Sequence, residues 1–170
     1  EFIAGSEYCT HSTVRDGVVQ VYGCCESSAF QLNYAHIDKP DIARWVEKFV
    51  ADLRLTGQVS FDFIETADGA VYAIECNPRT HSAITMFYGD PRVAPAYTGD
   101  LHTTIVPRAH ARPTYWIYYE LWRLLTQTGR RRRLRTILAG RDSIFDRDDP
   151  LPYLMVHHLH IPSLLVANLR

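Results

Sequence analysis

The chain has 170 residues, 46% of them apolar and 22% charged, with a formal net charge of -1. This is enough apolar chain for a buried core. Its near-neutral balance excludes bulk-charge attraction to nucleic acid or an anionic membrane, and no apolar run reaches the roughly 18 residues that span a bilayer.

The sequence opens on "EFIAGSEY", with no initiator Met, signal peptide or transit pattern, and stops inside the apolar "IPSLLVANLR". These ends lead us to expect a piece of a longer protein, cut at both termini. Alternating residues 7–24 turn at Asp16-Gly17 and predict a β-hairpin. "ESSAFQLNYAHIDKP", residues 26–40, has no period and reads as a loop. Ile42, Trp45, Val46, Phe49, Val50 and Leu53 then recur at the spacing of one helical face, expected to be core. Pro40 suits the first turn of that helix and Gly57 the position beyond its end.

Two strands are expected at 58–64 and 71–76, turning at Asp68-Gly69. "SAITMFYG" reads as a short helix stopped by Gly89, and the Pro- and His-rich 90–113 carries few periodic signals. Residues 114–139 read as helices on either side of "TGRRRR", and the final apolar stretch is punctuated by Pro150, Pro152 and Pro162. The expected fold class is therefore α+β: an antiparallel sheet backed by helices over residues 1–89, then a mostly helical extension over 90–170.

The chemistry concentrates in "FDFIETADGAVYAIECNPRTHS", residues 61–82. Side chains alternate faces along a strand, so Glu75 and Asn77 share one face. Asp62 and Glu75 are symmetric about the Asp68-Gly69 turn, which makes them candidate cross-strand neighbours. Two facing carboxylates repel unless a positive group lies between them. A hard divalent cation with oxygen ligands meets that need, and Asn77 adds a neutral oxygen. Arg79, just past the strand, is placed to meet a phosphate held by such a cation. The alternative is a solvent-facing strand with a surface salt-bridge cluster of little energetic weight.

These residues resemble the C-terminal metal-binding hairpin of the ATP-grasp ligases, a superfamily that includes D-alanine–D-alanine ligase, biotin carboxylase and carbamoyl phosphate synthetase. The shared pattern is a strand acid, a turn, then E-x-N-x-R. The resemblance covers about residues 1–88 and implies an ATP-grasp C-terminal lobe. It implies that Asp62, Glu75 and Asn77 hold Mg2+, or Mn2+ in its place, on the ATP phosphates, and that Arg79 steadies the transferring phosphate. "EFIAGSEY" is similar to the segment that passes between the lobes, where Phe2 and Ile3 would contact adenine and Glu7 the ribose. An upstream lobe with a phosphate-binding Lys and glycine-rich loop would precede residue 1, so the piece alone is expected to be inactive.

"ECNPRTHSAITMFY", "RPTYWIYYELWRLL" and "DPLPYLMVHHLHIPSLL" resemble cyanobacterial ATP-grasp proteins related to mycosporine-glycine synthase, which join glycine to 4-deoxygadusol. The implied activity is ATP-dependent phosphorylation of a small carboxylate or enol acceptor, followed by attack of an amine. The alternatives are bicarbonate phosphorylation, as in biotin carboxylase or carbamoyl phosphate synthetase, and a non-catalytic module of the same shape. No nucleic-acid partner is expected.

Other residues have plainer readings. His81 and Ser82 are candidates for substrate contact, or else a nearby polar His and a helix-capping Ser. The cluster His157, His158 and His160 lacks a zinc spacing and reads as interface or core histidines. Arg130 to Arg133 read as a solvated helix junction. Tyr115, Trp116, Tyr118, Tyr119 and Trp122 read as aromatics buried against another helix or domain. Cys9, Cys24, Cys25 and Cys76 form no C-x-x-C pair, and free thiols in a reducing cytosol are expected, hence a cytoplasmic protein.

Overall fold

The structure is a computed structural model that describes residues 2–27, 33–99, 101 and 103–169. The chain divides into two compact units, Glu1–Thr114 and Tyr115–Arg170. Part of the expected 26–40 loop, residues 28–32, lies outside the described residues.

The first unit is built on a four-stranded antiparallel sheet of order β2-β1-β3-β4. Its strands are β1 (Ser6–Arg15), β2 (Val18–Glu26), β3 (Gly57–Glu65) and β4 (Val71–Asn77). Both expected hairpins are present. Asp16 and Gly17 take positive φ of 44° and 81°, as a tight turn requires, and Thr66 and Ala70 close the second turn with a backbone bond.

Alternation gives β1, β2 and β3 two buried faces, while the edge strand β4 is largely exposed. On one face, Tyr8, Val14, Val59, Phe61 and Phe63 pack with Ile42, Val46 and Val50 of helix α1 (Pro40–Asp52). Pro40 occupies its first turn, as the sequence predicts. Trp45 and Phe49 stack at 5.0 Å and meet Phe61 edge-on at 5.3 and 5.1 Å, a geometry worth about 0.5–1.5 kcal/mol per pair beyond burial.

Two expectations for α1 fail at its end. The helix caps at Leu53, and Arg54 reverses the chain with a φ of 49°, well before Gly57. Leu53 is 57% exposed and so leaves the core face. The cap itself turns Leu53 outward, while Leu55 packs back against the core.

On the other face, Cys9, Val21 and Cys25 pack against Ala83, Met86 and Phe87 of a 3-10 turn over Ser82–Phe87. The turn approaches so closely because β2 carries Gly23 there: a Cβ at Gly23 would lie 2.8 Å from Met86 Cε. The chain turns away at Gly89 with a φ of 68°. The stretch 90–113 belongs to this unit and is less irregular than its composition suggests. It contains α2 (Val93–Thr98), whose Ala96 is buried, and Ile105 bonds both Gln20 and Tyr22 along the β2 edge.

The second unit is helical, as expected. Helices α3 (Ile117–Thr126) and α4 (Arg130–Ala139) flank Gly129. The arginine run is the first turn of α4 and not a junction. Arg133 reaches within 3.9 Å of Glu120, a fully buried carboxylate that Arg123 also pairs at 2.8 Å. The Pro-punctuated tail is helical over α5 (Leu151–Met155), a π turn (Val156–His160) and α6 (Ile161–Asn168); Pro150 precedes α5, Pro152 lies in its first turn, where a missing N–H costs nothing, and Pro162 follows directly on the π turn. Of the aromatics expected to be buried, Tyr115 is, whereas Trp122 is 63% exposed. Among the described residues no helix is long and apolar enough to cross a membrane.

Candidate functional site

The expected carboxylate pair forms. Asp62 and Glu75 are register partners across β3 and β4, and Ser60 faces Asn77 one step along. The row extends across the whole sheet, because Cys9 faces Asp62 on one side and Cys25 on the other. Cys25, Cys9, Asp62 and Glu75 thus lie side by side on the face that carries the 3-10 turn. By alternation Glu7 sits on that same face, two residues before Cys9, with an exposed side chain opposite Ile64.

Burial grades along this row. Cys25 and Cys9 are fully buried, Asp62 is half-buried, and Glu75 on the edge strand is exposed. The Asp62 carboxyl is pushed above the usual range, first by burial, then by the Cys9 and Glu75 charges, while His81 and Arg79 act in the opposite direction. The Glu75 charge therefore disfavours ionisation of Asp62, and the Arg79 guanidinium is near enough to offset part of that repulsion.

This donor set fits a hard cation: two carboxylates on neighbouring strands plus the half-buried Asn77 amide on the same face. Among the described residues no group of three His, Cys, Asp or Glu side chains gathers as a metal site. Asn77 would thus have to supply the third protein oxygen.

The loop after β4 is fastened over the row. Arg79 N–H donates to Asn77 O at 2.8 Å, which sets the turn, and the Arg79 side chain is exposed. His81 N–H donates to His11 Nδ1 at 3.3 Å. His81 Nδ1 accepts from Ala83 N–H at 3.1 Å and so caps the 3-10 turn, a task the sequence had offered to Ser82. Cys9 Sγ lies 3.9 Å from the same nitrogen, and that contact raises the His81 pKa against the effect of burial. Ser82 Oγ instead hydrogen-bonds the Tyr34 hydroxyl, and the Tyr34 ring meets His81 edge-on at 5.8 Å.

Phe2 and Ile3 stand apart. They precede β1, and Phe2 is 92% exposed. The chain there runs hard against β3, since a Cβ on Gly5 would lie 2.3 Å from Glu65 O.

Sequence reasoning missed the support behind the acids: His11, Cys9, Cys25 and Tyr34. The alternation in "YCTHSTV" was the available signal, because it puts Cys9 and His11 on one face. Cys9 and Cys25, 3.3 Å apart at sulfur, are free thiols, as are Cys24 and Cys76. Burial pushes the Cys24 thiol up to about 12, so it is no nucleophile. Of the three histidines in the second unit, His157 and His158 pack with Tyr118 and Tyr153, His157 half-buried, whereas His158 and His160 are exposed and so are not core residues.

No protein-family model matches this chain, and no curated protein does. Solved structures do. An N5-carboxyaminoimidazole synthetase from Staphylococcus aureus, complexed with ADP, aligns over 64% of this chain and 33% of its own, at 18% identity and a TM-score of 0.46. The biotin carboxylase domain of a Hydrogenobacter thermophilus 2-oxoglutarate carboxylase, with MgADP, ADP and bicarbonate, aligns over 58% and 26%, at 17% identity and 0.43. The macrocyclase MdnB from Microcystis aeruginosa MRC aligns over 57% and 37%, at 23% identity and 0.37. The chain thus spans about a quarter to a third of the length of these proteins.

Proposed function

We propose that this chain carries the metal-binding sheet of an ATP-dependent ligase of the ATP-grasp kind. The observation that supports it most is the pairing of Asp62 with Glu75, with Asn77 on the same face. A folded sheet gains nothing from two acids side by side, and a half-buried one least of all. Their arrangement makes sense when a divalent cation sits between them.

Asp62, Glu75 and Asn77 would hold Mg2+, which supplies charge neutralisation on nucleotide phosphates. Arg79, exposed and close enough to lower the Asp62 pKa, steadies the phosphoryl group that is transferred. Glu7 lies on the same face and takes the ribose hydroxyls, with Phe2 and Ile3 meeting adenine at the open end of β1. His81 and Ser82 sit where the loop closes over the row and border the acceptor. The acceptor is a small carboxylate or enol and the nucleophile an amine, with 4-deoxygadusol and glycine as the first pair to try.

The experiment is Mg2+-dependent ADP release by the full-length protein with ATP and a panel of acceptors and amines, that pair included. Release that needs both partners supports a ligase and names its substrates. Release with ATP and bicarbonate alone points to carboxylase-type chemistry. Nucleotide binding without any release points to a non-catalytic module.

A further inference from the structure

Helices α3 and α4 of the second unit each turn one stripe inward and expose the opposite one. In α4, Arg133, Thr136 and Ile137 are half-buried, while Arg131, Leu134, Arg135 and Leu138 are all exposed. Those four follow the i, i+3, i+4, i+7 spacing of a single helical face. In α3, Tyr118, Leu121, Trp122 and Leu125 hold the same spacing and are exposed, opposite the buried Glu120. Leu125 and Leu138 are 73% and 70% exposed, so the hairpin keeps most of these apolar side chains in water.

The hairpin has charge of nearly one sign. Between Tyr115 and Gly140 there are six arginines and one acid, Glu120. Glu120 is buried and held by Arg123 and Arg133. Among the described residues no hydrogen bond or ion pair engages the guanidiniums of Arg130, Arg131, Arg132 and Arg135, and all four residues are exposed. The other acids of the unit come after α4. Asp142 accepts backbone N–H bonds from Ile117, Ile144 and Phe145, and Asp146, Asp148 and Asp149 lie in the segment that leads to α5.

This arrangement works against the helix that carries it. The first turn of α4 has no acid, and its N-cap Gly129 offers no side-chain bond. A cluster of cations thus sits at the positive end of the macrodipole, and Arg131 and Arg135 repel each other one turn apart. Helix stability does not account for the run, whereas an anionic partner relieves both costs.

The leucines narrow the choice of partner. A second copy of the same face would set Arg131 and Arg135 against arginines. A nucleic-acid backbone would match the arginines and leave Leu134 and Leu138 in water. An anionic lipid surface takes both: phosphates pair with the guanidiniums, and the leucines enter the boundary between headgroups and acyl chains. The tail of the same unit adds apolar surface without charge. No residue from Leu151 to Leu169 is Asp, Glu, Lys or Arg, and Leu164, Leu165 and Val166 of α6 are exposed.

We propose that α4 docks on an anionic phospholipid surface, with Arg131 and Arg135, flanked by Arg130 and Arg132, on the headgroup phosphates and Leu134 and Leu138 inserted between them. The inference is independent of the nucleotide reading, since its test contains neither metal nor nucleotide.

The test is flotation of the full chain, in EDTA, with vesicles of phosphatidylcholine alone and of equal parts phosphatidylcholine and phosphatidylserine. The expected result is flotation with the mixed vesicles only, lost as salt is raised. Arg131→Gln with Arg135→Gln should weaken binding about ten-fold or more, and Leu134→Ser with Leu138→Ser about ten-fold. All four side chains are exposed, so both double variants should keep the wild-type melting temperature to within a few degrees, roughly. Equal binding to phosphatidylcholine alone would overturn the role of the arginines. Tighter binding to duplex DNA or to polyglutamate, unchanged by the leucine substitutions, would overturn the lipid in favour of a nucleic acid or an acidic peptide. No flotation with the mixed vesicles, or flotation unchanged in either double variant, would overturn the surface.

Discussion

Asp62 and Glu75 face each other because β4 holds one residue more than β3 at that point. From the turn outward, Glu65 pairs with Val71, Ile64 with Tyr72 and Phe63 with Ala73; the next partner of Asp62 is Glu75, and Ile74 is the extra residue of a β-bulge. In a regular ladder Asp62 would face Ile74, and Glu75 would point to the opposite side of the sheet. One inserted residue therefore decides whether the hairpin has a pair of acids at all.

That pair is costly without a cation. Asp62→Asn should leave the melting temperature equal to or higher than that of the wild type in the absence of metal, by up to about 1 kcal/mol of relieved repulsion, or roughly 2–4 °C. Added Mg2+ should raise the wild-type midpoint and leave that of the variant unchanged. A variant that melts lower than the wild type in EDTA would mean that the carboxylate is stabilising, against this account.

Phe61 is 1% exposed and lies under Trp45, Phe49 and Phe63. Phe61→Ala removes a ring from the centre of the α1 face and should cost about 3–5 kcal/mol. Urea unfolding measures it, and a loss below about 1 kcal/mol would show that this face collapses easily.

His11 is buried on the other face, and burial with the nearby His81 pushes its pKa down from 6.5 to about 4. Its Nδ1 accepts from His81 while Nε2 has no partner among the described residues. Between pH 6.5 and 4 the unfolded chain binds a proton that the folded ring refuses. Stability should therefore fall as pH drops through that window, by on the order of 3 kcal/mol from this group. His11→Gln should flatten the profile there, and a profile with the same slope in both proteins would show that His11 does not set it.

Two glycines should respond differently to the same methyl. Gly5→Ala drives a Cβ into the Glu65 carbonyl, which is backbone in a sheet and cannot yield. Gly23→Ala meets Met86 Cε, the end of a flexible side chain. We expect Gly5→Ala to lose about 1–3 kcal/mol and Gly23→Ala clearly less. Equal losses in urea titration would place the strain elsewhere.

Much of the sheet was legible because its signals are local. Asp16-Gly17 and Asp68-Gly69 announce both turns, and the α1 period gives Ile42, Val46 and Val50 their core positions. The Asp62–Glu75 pairing was found by symmetry about the second turn. The bulge at Ile74 that realises it was invisible, because nothing in "VYAIECN" distinguishes a regular strand from a bulged one. The end of α1 was misread for a related reason. A stop was sought at a glycine, whereas Arg54 takes the left-handed conformation itself. Helix α2 went unseen because Pro95 lies inside its six residues. The second layer behind the acids was hidden for want of sequence proximity. Cys9 is about fifty residues from Asp62 and meets it only through strand order, and His11 is tied to the loop after β4 through His81, neither of which periodicity encodes.

The most direct test of the central claim is Mn2+ binding, followed by the loss of the free-ion EPR signal, with ADP present, for the wild type, Asp62→Asn, Glu75→Gln and Asn77→Ala. The account predicts saturable binding by the wild type, about ten-fold or more weaker in either acid variant and less affected in Asn77→Ala. Wild-type affinity in both acid variants, or no binding by the wild type, would contradict the claim that this pair of acids exists to hold a cation.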